Sequence, residues 1–304
     1  MSGTNRETNI VLLGATGHVG RLLGPALTRT AKHGERIFLQ YRARGGDGDG
    51  NWFHWDIGHD NGLAELNRKI GHIDVLLNFA GSTRPGTPVT QHAEIARTCL
   101  DEAARLGIPV VLMASSAAIY GAPRHGRQVR ESDPPRPASD YGKAKLAMEH
   151  AVRKWRARSP LRTRACCLRI GNIAGADQLL RNAASGQSVR LDIFPSGHPA
   201  RRSYIGIETL ASVLRTLWQR GELPDVLPDV LPYVLNVAAP GCTGMDELLA
   251  ACDRHAWQGV PAAAGAIARV CLDIGRLERL HRFSPRDSMP EEMIRQWHAC
   301  GVPG

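Results

Sequence analysis

Ile10-Val-Leu-Leu-Gly14-Ala-Thr-Gly17-His-Val-Gly20-Arg-Leu-Leu23 is the stretch whose reading decides the fold of this chain. The apolar run Ile10 to Leu13 reads as a buried strand, the glycines at 14, 17 and 20 as a turn, and Leu22, Leu23 and Leu27 as the inner side of a helix. A strand that passes through such a turn into a helix lets the backbone approach a pyrophosphate closely. The helix start supplies unpaired N–H donors and positive potential. Gly14, Thr16, Gly17, His18, Val19 and Gly20 are therefore expected to cradle a dinucleotide. The turn lacks the lysine followed by serine or threonine of a nucleotide-hydrolysing phosphate loop, so ATP chemistry is not expected.

Working outward, further apolar runs predict strands at Arg36 to Gln40, Trp52 to Trp55, Val75 to Phe79, Val110 to Ala114, Arg164 to Ile170 and Tyr233 to Val237, with helical stretches between most of them. This alternation predicts an α/β fold, a Rossmann-like, doubly wound parallel sheet with helices on both faces. After about residue 172 glycine and proline become denser and the rhythm fades, as a smaller C-terminal substrate-binding lobe would give. The expected division is a dinucleotide-binding domain over 8–171 and a lobe over 172–304, with about 204–238 returning to the first domain. Gly45-Gly-Asp-Gly-Asp-Gly50 and the tandem repeat Leu223-Pro-Asp-Val-Leu-Pro-Asp-Val-Leu-Pro232 read as loops.

The end of the second strand selects the nucleotide, because an acid there accepts hydrogen bonds from a ribose 2′-hydroxyl and repels a 2′-phosphate. The stretch Leu39-Gln-Tyr-Arg42-Ala-Arg44 carries no acid, and Arg42 and Arg44 are expected to grip a phosphate. NADP(H) is accordingly favoured over NAD(H).

A second constellation concerns protons. Val110 to Ala114 deliver Ser115 and Ser116 to the carboxyl end of a strand, where such sheets bind ligands. Tyr141-Gly-Lys-Ala-Lys145 follows on a helix, where positions 141 and 145 share a face. A free tyrosine titrates near pH ~10, and a neighbouring ammonium is expected to bring Tyr141 down toward the working range. Tyr141 would then exchange a proton with the substrate oxygen, and Ser116 would hold that oxygen by a hydrogen bond.

Together with Asn78-Phe-Ala-Gly81 and Ser115-Ser-Ala-Ala-Ile-Tyr-Gly121, these motifs resemble the extended short-chain dehydrogenases, the NAD-dependent epimerase/dehydratase family. The resemblance implies catalytic roles for Ser116, Tyr141 and Lys145. It also implies that Asp56 and Ile57 lie beside the adenine, and that Asn78, Phe79, Ala80 and Gly81 pass under the cofactor. Leu168-Arg-Ile-Gly-Asn172-Ile-Ala-Gly175 and Arg201-Arg202-Ser-Tyr-Ile-Gly-Ile-Glu208 look like the family's substrate segments, which makes Asn172 and Arg202 candidates for an anionic substrate. Where dehydratase members carry an acidic pair after the serine position, this chain has Ala117 and Ala118, which disfavours a 4,6-dehydratase. The implied activity is reduction of a keto group on a sugar nucleotide or similar small carbonyl compound. An epimerase is the alternative, and a non-catalytic dinucleotide sensor is the alternative of another class. The family's habit of pairing through the helices corresponding to Glu94–Leu106 and Leu146–Trp155 implies a homodimer.

Bulk properties narrow the field. The 304 residues, 43% of them hydrophobic, suffice for one large core, or a cofactor domain and a lobe. No apolar run approaches the ~18 residues of a membrane span, and the polar start Met1 to Thr8 is unlike a signal peptide, so a cytoplasmic protein is expected. The net charge of +9 comes from scattered arginines, which speaks for a solvated face and anionic small ligands over nucleic acid. Seven cysteines lack disulfide or zinc spacing and are read as reduced and mostly buried. His54, His72, His92 and His125 show no ligand spacing, and no metal is assigned.

Overall fold

Alternate residues along the first strand serve two different cores. A computed structural model describes residues 7–43, 51–82, 86–123, 127–158, 163–221, 231–252 and 257–301. In strand β1 (Thr8–Leu13), Ile10 and Leu12 belong to one buried cluster, and Val11 and Leu13 to another. Because successive side chains of a strand point to opposite faces, a run apolar on both parities must be covered twice. The first cluster includes Leu22, Leu23 and Leu27 of α1 (Gly20–Arg29), and the second includes Leu63 and Leu66 of α2 (Gly62–Ile70). Each fully buried leucine of this kind contributes roughly 1.5–3 kcal/mol.

The remaining sheet strands are β2 (Glu35–Tyr41), β3 (Trp52–His54), β4 (Val75–Asn78), β5 (Val110–Ser116) and β6 (Arg164–Ile170). Between them run α3 (Gln91–Leu106) and α4 (Asp140–Arg156), which pack on each other. After β6 the chain makes β7 (Asn172–Ile173), α5 (Gln178–Ala184), β8 (Val189–Ile193), β9 (Arg201–Arg202), β10 (Tyr204–Ile205), α6 (Ile207–Gly221) and β11 (Val234–Val237). The sheet order is β11-β6-β5-β4-β1-β2-β3, and every neighbouring pair is parallel. This is the doubly wound α/β arrangement. β11 reaches the sheet beside β6, and α6 packs on α1, where Arg215 forms a buried ion pair with Glu35 at 3.0 Å.

The lobe is finished by β12 (Thr243–Gly244), α7 (Met245–Ala250), β13 (Trp257–Pro261), β14 (Arg269–Val270), α8 (Gly275–Glu278) and α9 (Pro290–His298). Its strands form small separate sheets: β7 with β10, β8 with β13, and β9 between β12 and β14. Glu208 at the start of α6 ties the layers by accepting from Arg29 of α1 and Arg295 of α9.

The expectation that all cysteines are reduced is corrected here. Cys242 and Cys271 form a disulfide with Cα atoms 5.7 Å apart, one directly before β12 and the other directly after β14. They are 29 residues apart, and the common pairing of both strands with β9 brings them together. Cys99, Cys166 and Cys167 are buried thiols, and burial pushes all three well above the ordinary thiol range. Among the described residues no helix is long and apolar enough to cross a membrane. The glycine run 45–50, Arg44, His125 and most of the tandem repeat lie outside the described residues.

Candidate active site

A cleft of about 1120 Å³ opens along the carboxyl ends of the sheet strands. Its first wall is the turn from β1 to α1. Gly14 has φ +76°, and a Cβ placed there would lie 2.7 Å from the Phe79 carbonyl oxygen. A Cβ on Gly20 would overlap the Gly14 carbonyl oxygen and the backbone of Ala15. The glycines thus allow the turn, β4 and α1 to approach one another more closely than any side chain permits. No side chain caps α1 and its first turn carries no acid, so no carboxylate of the helix start offsets its positive potential beside the cleft. Such a helix start, behind a backbone cradle, fits a dinucleotide pyrophosphate.

Gly14, Thr16, Gly17, His18, Val19 and Gly20 all line the cleft, as do Arg42, Asp56, Ile57, Phe79, Ala80 and Gly81. Asn78 stands behind it. Its side chain accepts from the Ala80 N–H at 3.0 Å and is 3% exposed, so it shapes the backbone that the cleft exposes and does not face the cleft itself. Sequence reasoning passed over Gln40. Its Oε1 accepts from the Gly14 N–H at 2.8 Å and its Nε2 donates to the Trp55 carbonyl at 2.6 Å, joining the glycine turn to the ends of β2 and β3.

The residues expected to handle protons lie farther along the same cleft. The helix that carries two of them, α4, is started by Ser139, whose hydroxyl accepts from the Gly142 N–H at 3.1 Å, with Asp140 in the first turn and Arg153, Lys154 and Arg156 in the last. Tyr141 and Lys145, one turn apart on this helix, meet Ser116 from the end of β5. Ser116 is hydrogen-bonded to the Tyr141 phenol, and its Oγ also accepts from the Ala118 N–H at 3.1 Å. The neighbouring Ser115 turns inward and donates to Glu149 at 2.6 Å.

Glu149 extends the sequence spacing Tyr141, Lys145, Glu149 by one more turn, a signal the sequence reading did not use. It forms a buried two-pronged ion pair with Arg169, whose Nη1 donates to the Tyr120 hydroxyl at 2.8 Å. The network brings a negative charge beneath Lys145. Burial lowers the Lys145 ammonium to about 8, with Cys167 and Glu149 acting in the opposite direction. Its Nζ donates to the Ala114 carbonyl at 2.7 Å and stands 5.7 Å from the centre of the Tyr141 ring.

The expected lowering of the Tyr141 phenol by Lys145 is not found. Burial holds the phenol above its ordinary range, and the hydrogen bond with Ser116 works the other way. The reason is placement: Lys145 is engaged with a carbonyl of β5 and lies over the ring.

Asn172 lines the far end of the cleft next to Asp177 and is hydrogen-bonded to it. Asp177 accepts from the Tyr204 hydroxyl at 2.9 Å, and burial raises it to about 6. Arg202 is not brought to the cleft. Its guanidinium donates to the carbonyls of Ile267 at 2.6 Å, Arg201 at 2.8 Å and Ala268 at 3.2 Å, and desolvation lowers it. Among the described residues no group of three or more His, Cys, Asp or Glu side chains is placed to hold a metal ion.

Comparison with known proteins shows the family and the fold. Residues 10–226 match the model of the NAD dependent epimerase/dehydratase family. The chain is similar to dTDP-6-deoxy-L-talose 4-dehydrogenase (NAD(P)(+)) of Kitasatospora kifunensis, 32% identical over 240 residues that cover 71% of this chain and 72% of that protein. It is 26% identical over 235 residues to UDP-glucose 4-epimerase of Halalkalibacterium halodurans, covering 67% and 68% of the two chains. Among solved structures, UDP-glucose-4-epimerase from Stenotrophomonas maltophila, with bound NAD and formylated UDP-arabinopyranose, shares the fold with a TM-score of 0.77 at 18% identity, covering 97% of this chain and 98% of that one. With its motifs, its sheet and its relatives in agreement, the chain belongs to the NAD-dependent epimerase/dehydratase family and is an enzyme of the extended short-chain dehydrogenase kind.

Proposed function

We propose that this enzyme is an NADP(H)-preferring reductase of a keto group on a sugar nucleotide or a similar small anionic carbonyl compound. The observation that carries the reading is that Ser116, Tyr141 and Lys145 meet in one cleft, with the phenol held protonated by burial. A protonated phenol suits giving a proton, which is the role that reduction asks of it. When bound, the nicotinamide dinucleotide supplies or accepts the hydride.

The chain's own residues handle everything else. Tyr141 gives its hydroxyl proton to the carbonyl oxygen of the substrate. Ser116 donates a hydrogen bond to the same oxygen as negative charge develops there, and the Lys145 ammonium adds positive potential in a low-dielectric site. Arg42 lines the nucleotide end of the cleft with no carboxylate partner among the described residues, which supports a 2′-phosphate. Asn172 is proposed to meet the substrate; Arg202 would join it only by exchanging the carbonyls it now holds. The relative's printed name, a 4-dehydrogenase using NAD(P)+ on a dTDP-sugar, supports both the substrate class and the reaction type.

The test is to identify the copurified nucleotide and titrate the protein with NAD(H) and NADP(H). Tighter NADP(H), released freely and consumed by net reduction, is expected. Tight NAD(H) that neither exchanges nor turns over would replace the reductase by a 4-epimerase. Nucleotide binding indifferent to every carbonyl substrate would instead point to a sensor. A cytoplasmic setting and a homodimer formed through α3 and α4 belong to the same proposal, and a solution mass of one 33.0 kDa chain would refute the dimer.

A further inference from the structure

His92 in the first turn of α3 is 2% exposed and lines the catalytic cleft. Its Nε2 lies 3.0 Å from the Ser82 carbonyl oxygen. A carbonyl only accepts, so Nε2 carries the hydrogen and Nδ1 presents a lone pair. That Nδ1 is buried and has no hydrogen-bond partner among the described residues. Buried polar atoms without partners are rare in folded proteins and ask for an explanation. The imidazole fills the space where a Cβ of Gly81 would stand, and meets the Tyr141 ring edge-on with centres 6.1 Å apart. Burial and the Lys145 ammonium lower it to about 4, so it remains a neutral acceptor at physiological pH.

We propose that Nδ1 of His92 accepts a hydrogen bond from a hydroxyl of the nicotinamide-side ribose, which makes His92 a positioning residue for the reactive half of the dinucleotide. Nδ1 can pair only with a donor, which excludes the ionised pyrophosphate oxygens. The adenine half is excluded by place, because Arg42 and Asp56 line the other end of the cleft while Tyr141 and Lys145 adjoin His92. An ammonium donor and an imidazole acceptor on one wall together match a hydroxyl, which accepts one hydrogen bond and donates another. The inference rests on dinucleotide binding by this family member and not on the choice of NADP(H) or on reduction.

The experiment compares His92→Phe, which keeps a flat ring without the lone pair, with His92→Asn, which keeps an acceptor. Calorimetric titration uses NADP+ and NAD+, the corresponding ADP-ribose forms, and 2′,5′-ADP and ADP, which lack the second ribose. His92→Phe should weaken the dinucleotides and the ADP-ribose forms by about five- to tenfold, in line with one lost hydrogen bond. It should leave 2′,5′-ADP and ADP unchanged, and His92→Asn should lose less. Equal losses for all ligands, or none, would overturn the assignment. Should His92→Phe fail to fold, the wild-type chain carrying 15N-histidine decides. The Nδ1 resonance should move when ADP-ribose or its 2′-phosphate is added and stay still with ADP, and an unmoved resonance refutes the contact.

Discussion

The seven-stranded sheet and the small three-stranded sheet around β9 are held by contacts of different kinds. In the sheet, β5 and β6 run in register over seven residue pairs, and their side chains enter two continuous cores. In the lobe, β9, β12 and β14 are two residues long and are held by a disulfide, by Arg201 bonded to Glu247 and the Cys242 carbonyl, and by Arg202 bonded to the carbonyls before β14. The difference teaches where the proposed duties divide: the cleft that would hold the nucleotide and the proton chemistry lies along the sheet, and the second half would shape what may enter. Damage to one should leave the duty of the other measurable.

The largest effect should come from the sheet side of the cleft. Tyr141→Phe keeps the ring and removes the transferable proton, so turnover should fall by at least about 10²-fold with near-normal nucleotide affinity. Unchanged turnover in a steady-state assay would take Tyr141 out of the reaction. Next, Arg42→Glu should weaken NADP(H) by about tenfold or more and leave NAD(H) little changed, because only the former carries a phosphate for it to repel. Parallel losses for both nucleotides would place the discriminating group elsewhere.

A smaller effect is expected from protons. His92 sits at about 4 in the fold against an ordinary 6.5, so the unfolded chain takes up a proton that the fold refuses between those values. The associated stability is complete above pH 6.5 and is lost as pH falls toward 4. Chemical denaturation across that window should show a shallower slope for His92→Phe than for the wild type, and identical slopes would contradict the buried neutral imidazole. For nucleotide affinity the smallest effect should come from the lobe. Replacing Cys242 and Cys271 by serine should cost about 2–4 kcal/mol of stability and leave dinucleotide affinity where it was. A loss of affinity on that replacement would break the separation of duties drawn above.

How much could be read beforehand follows the same division. Ile10 to Gly20, the strands at 75, 110 and 164, and the Tyr141-x-x-x-Lys145 spacing were legible because periodicity and turn chemistry are local properties of the chain. The meeting of Ser116 with Tyr141 followed from sheet topology. What stayed hidden depends on long-range geometry. Two-residue strands leave no periodicity, so the sheet around β9 had no signal, and neither did the Cys242–Cys271 bond that spans it. Arg202 read as a substrate ligand because its segment has the familiar order, yet nearby carbonyls take its guanidinium. The lowering expected of Tyr141 assumed that Lys145 points at the phenol oxygen, whereas the Ala114 carbonyl directs it over the ring. His92 shows no ligand spacing in the sequence, and its orphaned nitrogen shows itself only in three dimensions.

Gln40 has a consequence for how such an enzyme changes partners. With both ends of its amide engaged by Gly14 and Trp55, and Tyr41 packed beside Trp52 and His54, the tip of β2 is spoken for by architecture. On the proposed reading, choice of nucleotide then falls to the positions that follow, beginning with Arg42, whose guanidinium has no carboxylate partner among the described residues. The preference for one dinucleotide over the other can therefore drift, or be re-engineered, by changes just outside the sheet, without reopening the joinery that keeps the glycine turn in position.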